Sequence, residues 1–513
     1  MKIVGLSFGS HDSSYAIFEN GDLLLHEELE RHSRIKECDG DVVKFYIERQ
    51  GSFDDVDVVT YFPHGDRKFY PDSFHILEKL RDEGKLELIE VGHHQSHAAN
   101  AFFSSKFDKA LIITIDGGGW DGGSPSNWTV WEGDGIDITA KEYSNSWNPG
   151  VAWQMVTSEI FGMCGGGPPK GCQAGTVMAM AAMGDETKYY EDLKTKGDVW
   201  NANFPWGEYK NLSEQEKFDF AASFQKFTED KIREEMSRWI TDETTHLCLS
   251  GGTVLNSVFT GKIWDWFPHI KDIYIPPVPY DAGLAIGCGQ YVLHTLKRSP
   301  RVEWCDNATP YLGVVYSEEE VREALSEYDE ITWTQASNSE ICDLLMDENI
   351  VSVYGGGSES GRRALGNRSI LADPRNPNMK DIVNEKVKHR QWFRPFAPSI
   401  MREEVSNWFT RDVNSPYMGF VLQFKKEKQD LVPAVVHFDG SARLQTVTKN
   451  DNEWYYNFLS EWNEKSGVPI ILNTSFNDRE PIVERPQHAI NCFLKTNIDH
   501  LYFFDYGILV SKK

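Results

Sequence analysis

One local pattern constrains this chain more than any other: a short apolar run that stops abruptly at glycine, aspartate, asparagine or serine. It occurs at 110–115, 246–249, 350–354 and 468–472. Short apolar runs bounded by turn residues read as buried strands. Helical segments lie between them. Ser213-Glu214-Gln215-Glu216 is a capping-box sequence. After it, Phe220, Phe224 and Phe227 recur at helical spacing, with Met236 and Trp239 beyond, and read as a core-facing stripe. At the N-terminus, apolar runs at 3–8, 15–18 and 23–25 surround Asn20-Gly21, a tight hairpin turn. Alternating strands and helices give an α/β class, with ligands expected at the carboxyl ends of strands. There is no solenoid repeat and no low-complexity tract.

The length, 513 residues, suits two large domains. Arg298-Ser299-Pro300-Arg301 is polar and turn-prone, and 317–326 reads as a short charged helix. The break is placed there, giving domains 1–330 and 331–513. Lys and Arg total 52 against 78 Asp and Glu, a net charge of −26. Such a surface repels phosphate backbones and anionic membranes, so no nucleic-acid polymer and no membrane is expected as a partner. Small anions in an arginine-lined pocket remain open. The mean hydropathy is −0.47. No apolar run approaches the roughly 18 residues of a membrane span, and the N-terminus turns polar too early for a signal peptide. Eight scattered cysteines form no CxxC pair. Reduced thiols and a cytoplasmic location are expected.

Two regions carry chemistry. In the first, a strand-like stretch leads into Gly92-His93-His94-Gln95-Ser96-His97-Ala98. A helix there sets His93 and His97 on one face, as metal ligands or as partly buried histidines of a helix start. The position after His93 is not Glu, which excludes zincin chemistry. Next, an apolar strand delivers Asp116 and then three glycines, 117–119. Asp116 is a metal ligand or a turn cap. Similar glycine turns follow at 249–253 and at 279–283, the latter carrying Asp281. Two imidazoles and two carboxylates suit iron, manganese or zinc.

The second region is basic. Arg362, Arg363 and Arg368 follow one strand, and Lys386, Lys388, His389, Arg390 and Arg394 fall within nine residues. Arg443 follows Asp439-Gly440, and Asn473-Thr474-Ser475 ends a strand. In a chain this acidic, the cluster reads as an anion pocket, with internal salt bridges as the alternative.

Read together, these motifs resemble the ATP-dependent O-carbamoyltransferase family, which includes nodulation and antibiotic carbamoyltransferases. The match runs from His11-Asp12-Ser13-Ser14 through Glu30-Arg31, Arg34-Ile35-Lys36, the 93–98 histidine motif and Asp116-Gly117. It continues through Gly251-Gly252 with Asn256, Asp281-Ala282-Gly283, the 363–369 arginine motif, Arg394-Pro395-Phe396-Ala397-Pro398 and Asp439-Gly440 to Asn473-Thr474-Ser475-Phe476-Asn477. The resemblance implies an N-terminal domain of the actin/Hsp70/sugar-kinase type, similar to the threonylcarbamoyl-transferase subunit, followed by a YrdC-like domain. It implies that carbamoyl phosphate and ATP form carbamoyl-adenylate and pyrophosphate in the YrdC-like site. The carbamoyl group then passes to the hydroxyl of a small acceptor in the N-terminal site.

Carried over by residue, His93, His97, Asp116 and Asp281 hold a divalent metal, Fe(II) in the family pattern, with Mg accompanying ATP. Arg363, Lys388, Arg394 and Arg443 grip phosphates, with Asn473 and Ser475 nearby. Gly118, Gly251, Gly252 and Asn256 cradle the adenylate. His11 and Asp12 lie where the acceptor meets the carbonyl, making His11 the candidate general base. Lys36 contacts the adenylate phosphate. A homodimer is compatible with this reading. One departure stands out. Ala174-Gly175-Thr176 replaces the family's Glu-Gly-Lys, after an unusual glycine-rich stretch at 164–171. A threonylcarbamoyl-type transferase acting on a nucleic acid or nucleoside, a sugar-kinase-like ATPase and a non-catalytic nucleotide-binding protein are the alternatives.

Overall fold

Asn20 and Gly21 both take positive φ, 54° and 103°, as a type I′ hairpin turn requires. They join β2 (Ser14–Glu19) to β3 (Asp22–Glu28), and β2 pairs antiparallel with β1 (Lys2–Ser7). On the other side of β1, β4 (Val58–Tyr61) and β5 (Glu87–Glu90) run parallel, giving the order β3-β2-β1-β4-β5. A second sheet repeats this plan. There β6 (Lys109–Asp121), β7 (Ser124–Asp134) and β8 (Asp137–Ser144) are antiparallel, while β9 (His246–Ser250) and β10 (Asp272–Tyr274) run parallel to β6. Its order, β8-β7-β6-β9-β10, matches the first sheet strand for strand. One topology thus occurs twice in the unit Met1–Ala308.

The computed structural model describes all residues except 10, 63–69, 122–123, 146, 165–171, 197–203 and 302–308. Most of the glycine-rich stretch at 164–171 therefore lies outside the described residues. Among the described residues, no helix is long and apolar enough to cross a membrane. The capping-box segment forms the helix Glu214–Met236, and Ser213 Oγ accepts from the Glu216 amide. Phe220, Phe224, Phe227 and Met236 are buried, as their spacing predicts.

The first sheet packs on a core that includes Val4, Leu6, Val43, Val59, Phe74 and Leu77. Glu27 sits at its edge as a buried ionic hub. Its carboxylate accepts from Arg49 Nη2 (3.0 Å) and the Tyr15 hydroxyl, and lies 2.8 Å from His32 Nε2. Burial alone would raise this carboxyl, but the His32 and Arg49 contacts hold it down at about 2. A folded-state value below the ordinary one stabilises the fold above pH 4.5, and that contribution fades as pH falls through about 2. Glu27→Ala removes the carboxylate that Arg49, His32 and Tyr15 share and is expected to cost about 2–4 kcal/mol. Urea unfolding at neutral pH measures that loss, and the variant should show a shallower decline in stability on acidification.

The second unit, Thr309–Lys513, holds one mixed sheet. Its described strands are β11 (Ile331–Gln335), β12 (Val351–Tyr354), β13 (Arg368–Ala372), β14 (Ala397–Met401), β15 (Phe420–Gln423), β16 (Ser441–Val447), β17 (Ile470–Ser475), β18 (His500–Phe503) and β19 (Ile508–Lys512). The order is β11-β19-β18-β12-β13-β17-β14-β16-β15. Trp462, Phe458 and Leu459 of the helix Glu453–Ser466 are fully buried beside it. Residues 309–330 belong to this unit, whereas the sequence reading placed them in the first. The Gly313 amide donates to Ser358 O (3.0 Å) and the Tyr311 hydroxyl to Leu365 O (2.9 Å). The charged helix Glu318–Ser326 hides a core face of Val321, Ala324 and Leu325.

Candidate metal centre and arginine cluster

The helix His93–Phe103 begins directly after β5, behind Gly92, which has no side chain to cap it. Asp121 of β6 supplies the cap. Its carboxylate oxygens accept from the His94 and Gln95 amides, each at 3.1 Å. One helical turn then aligns His93 and His97. Asp116 comes from β6, at a shift in its pairing with β7 between Ile115 and Gly119. Such bulges re-aim side chains. Gly119 allows the approach, because a Cβ there would lie 2.2 Å from the His93 ring. Asp281 sits on a short turn anchored by Ser7 Oγ to Asp281 O (2.8 Å) and Ser14 Oγ to Ala282 O (2.7 Å).

One ligating atom from each of His93, His97, Asp116 and Asp281 lies within 4.8 Å of the others. His93 Nε2 is 3.1 Å from Asp116 Oδ2, and His97 Nε2 is 3.5 Å from Asp281 Oδ1. Ser250, at the end of β9, fixes the His97 tautomer. Its hydroxyl donates to Pro279 O (3.1 Å), so its oxygen accepts from His97 Nδ1–H (3.3 Å). His97 Nε2 is left bare, buried and without a hydrogen-bond partner. A bare, fixed imidazole nitrogen beside carboxylates fits a divalent transition metal. Asp116 is held from behind by the Gly252 amide (2.7 Å). Burial alone would raise its carboxyl, yet the His93 hydrogen bond and the imidazole charges keep it far below the usual range. Ser250→Ala unlocks the tautomer and is expected to weaken Mn(II) binding about 10–100-fold, read by calorimetry.

His94 is structural. Trp131 Nε1–H donates to Thr129 Oγ1 (2.6 Å), Thr129 to Thr114 Oγ1 (2.6 Å), and Thr114 to His94 Nδ1 (2.7 Å). His94 Nε2–H then donates to Ser126 O (2.9 Å). Burial and the neighbouring His93 charge push its imidazole down to about 4.

His11 Nδ1 is 2.7 Å from Asp12 Oδ2, and its Nε2 is 3.7 Å from Asp281 Oδ2. Burial alone would lower this imidazole, but Asp12 and Asp281 raise it to about 9. Beside these carboxylates His11 holds its proton more tightly than a free imidazole does. Lys36 stands exposed in the turn after the helix Leu29–Ser33. Gly118 lies in the β6 bulge with φ 145°, and Gly251 takes φ 100° against Ile115 O. Asn256 is engaged within the fold. Its amide donates to Gln225 Oε1 (2.8 Å), and its oxygen caps the helix Ser257–Trp266.

In the second unit, Arg390, Arg394 and Arg443 come together with Arg363. Burial and the charges of Arg363, Arg390 and Arg394 hold the Arg443 guanidinium well below its ordinary value. Burial and Arg394 do the same to Arg390. Arg443 Nε is buried with no acceptor. Among the described residues, Arg390, Arg394 and Arg443 have no carboxylate partner. Like charges buried together without an acid await an anion.

Other basic residues of this region build the fold. Lys388 Nζ donates to Ser475 O (2.9 Å), Asn477 O (2.6 Å) and Asn477 Oδ1 (2.6 Å). Ser475 Oγ donates to Asn477 Oδ1 (2.7 Å). Asn473 Nδ2 serves Ala364 O, Ser399 Oγ and Gln445 Oε1 at 2.8–3.1 Å, while its Oδ1 is buried without a donor. Arg368 lies 3.6 Å from the Tyr354 ring centroid and donates to Gly355 O (2.6 Å). Glu359 Oε1 gathers the amides of Leu365, Asn367 and Arg368 at 2.8–3.1 Å, shaping the arginine loop from inside.

Two family models match, the carbamoyltransferase N-terminus over residues 67–289 and the carbamoyltransferase C-terminus over residues 342–510. Nodulation protein NolNO of Sinorhizobium fredii is 30% identical, over 98% of this chain and 79% of its own. The 3'-hydroxymethylcephem-O-carbamoyltransferase of Amycolatopsis lactamdurans is 30% identical, over 73% of this chain and 74% of its own. Among solved structures, full-length HypF aligns at a TM-score of 0.35 with 17% identity, over 57% of this chain and 55% of its own, too low to argue from. The matched segments span both units and include the four-ligand cluster and the arginine cluster. The chain belongs to the carbamoyltransferase family and is a transferase enzyme.

Proposed function

We propose that this chain is an ATP-dependent O-carbamoyltransferase with its two half-reactions in separate units. The carrying observation is the buried trio of Arg390, Arg394 and Arg443, which has no carboxylate partner among the described residues. Carbamoyl phosphate and the ATP phosphates supply the anionic charge it lacks. Net, carbamoyl phosphate, ATP and water give carbamoyl-adenylate, pyrophosphate and phosphate. The acceptor hydroxyl then attacks the carbamoyl carbon, its proton is lost, and AMP leaves. Lys388, Asn473 and Ser475 position the pocket wall rather than grip phosphate, since their donors are already engaged.

In the first unit, His93, His97, Asp116 and Asp281 would hold the divalent metal, for which Fe(II) is the proposed identity. It would supply Lewis-acid stabilisation of negative charge on the adenylate. His11, held by Asp12 and turned toward Asp281, handles the acceptor proton once the carboxylates beside it are balanced. The duplicated β3-β2-β1-β4-β5 order supports an actin/Hsp70/sugar-kinase reading of the first unit. The YrdC-like reading of the second rests on the family pattern. The acceptor is proposed to be a small hydroxylated molecule.

The test is pyrophosphate release from purified protein and ATP, with and without carbamoyl phosphate, before any acceptor is added. Release that depends on carbamoyl phosphate supports adenylate formation. ADP formation, or no release from folded, metal-loaded protein, overturns it in favour of a kinase-like or non-catalytic role.

A further inference from the structure

Cys164 and Cys172 face each other across an isolated antiparallel β-bridge. Both are half-buried free thiols, with sulfur atoms 2.8 Å apart. Directly opposed residues of an antiparallel pair keep their Cα atoms about 4.5–5.5 Å apart. A disulfide spans about 4.4–6.8 Å between Cα atoms. The backbone is therefore already in position for a bond. Among the other described cysteines, Cys248, Cys288, Cys342 and Cys492 are buried, and Cys38 is half-buried.

We propose that Cys164 and Cys172 are a modification site that closes reversibly into an intramolecular disulfide with a low-molecular-weight disulfide, such as oxidised glutathione, as oxidant. Cys164, having lost its proton to solvent, attacks one sulfur of the oxidant. The oxidant's S–S bond breaks, and one glutathione thiolate leaves. Cys172 then gives up its proton and attacks the Cys164 sulfur, releasing the second glutathione thiolate. Two protein thiols are oxidised, and one oxidised glutathione is reduced to two thiols. The order follows from the surroundings, since burial and the contact with Cys164 push the Cys172 thiol up to about 12. Formation of the Cys164–glutathione mixed disulfide removes that contact and frees Cys172 to react.

The location gives the bond leverage. Cys172 hydrogen-bonds to Thr157, on the helix Pro149–Glu159. At the other end of that helix, its cap Asn148 donates to Gly117 O (2.7 Å), beside the Asp116 ligand. The Gln173 amide donates to Met163 O (3.0 Å), and the helix Ala174–Ala181 starts next. The disulfide would join the ends of these two helices covalently.

The test uses the full chain, fully reduced, with its 8 cysteines. After oxidised glutathione, 8 − 2 = 6 free thiols are expected, with a mass lower by about 2 Da. Peptides linked through Cys164 and Cys172 should appear, and dithiothreitol should restore the thiols. Cys164→Ser should keep all its remaining thiols, whereas Cys172→Ser should stop at the Cys164–glutathione mixed disulfide, which cannot close. Amide exchange in the helix Ala174–Ala181 should slow at least about tenfold on oxidation. A full thiol count after treatment, a glutathione adduct that never closes, or a link between other cysteines overturns the proposal. Unchanged exchange in a protein that has lost two thiols overturns its action on the fold.

Discussion

Arg443→Met is expected to cut carbamoyl-phosphate-dependent pyrophosphate release at least about 100-fold, the scale of losing one aligned electrostatic donor. The same variant should be more stable than the parent without ligands. Arg443 is buried among Arg363, Arg390 and Arg394, and its Nε has no acceptor. Desolvation and like-charge repulsion both oppose this arrangement in the empty protein. Methionine keeps much of the packing volume and removes both costs, which predicts a gain of about 1–3 kcal/mol. Denaturant unfolding checks the stability, and a coupled pyrophosphate assay checks the rate. Lys388→Met should behave oppositely. Its ammonium satisfies Ser475 O, Asn477 O and Asn477 Oδ1, so a loss of about 3 kcal/mol is expected from the stranded acceptors. If Arg443→Met destabilises the protein as Lys388→Met does, the arginine cluster is structural and the phosphate reading fails.

That contrast marks where sequence reading stops. Charge runs show that cations gather around 386–394, but not which of them are satisfied. Lys388 and Arg368 find carbonyl oxygens supplied by the turns they hold, whereas among the described residues the buried Arg443 Nε finds none. Asn256 reads as a ligand contact from its place after a glycine turn, yet Gln225 and a helix cap occupy its amide. Both cases depend on distant pairings that no local pattern encodes. Local signals were legible wherever the physics is local. Asn20-Gly21 makes its hairpin, and Ser213 and Ser317 cap their helices. The i, i+4 spacing of His93 and His97 could be read in the same way. Ser250 could not, because its role is to accept from His97 Nδ1 across a sheet. Asp121 was equally hidden, since from β6 it caps the His94 amide, 27 residues before it. The repeated sheet topology was invisible as sequence, because it lies in strand order and direction and not in matching residues.

His97→Ala should separate the two half-reactions. Its Nε2 is a fully buried atom with no hydrogen-bond partner, aimed between Asp116 and Asp281. Removing it takes one ligand atom from the four-atom set that includes Asp116 and Asp281. In the parent, Mn(II) at about 100 times its dissociation constant should add about 2.7 kcal/mol of stability. In His97→Ala, that metal-dependent gain should vanish, read by thermal unfolding with and without the ion. Carbamoyl transfer to acceptor should be lost with it. On the proposed division of labour, pyrophosphate release should stay within about twofold of the parent. The arginine residues lie in the second unit, and His97 with its partners lies in the first. Retained pyrophosphate release with abolished transfer would place metal and acceptor chemistry downstream of activation. Equal loss of both activities in a folded variant would mean that one site performs the whole reaction, and the division of labour between the units would have to be abandoned.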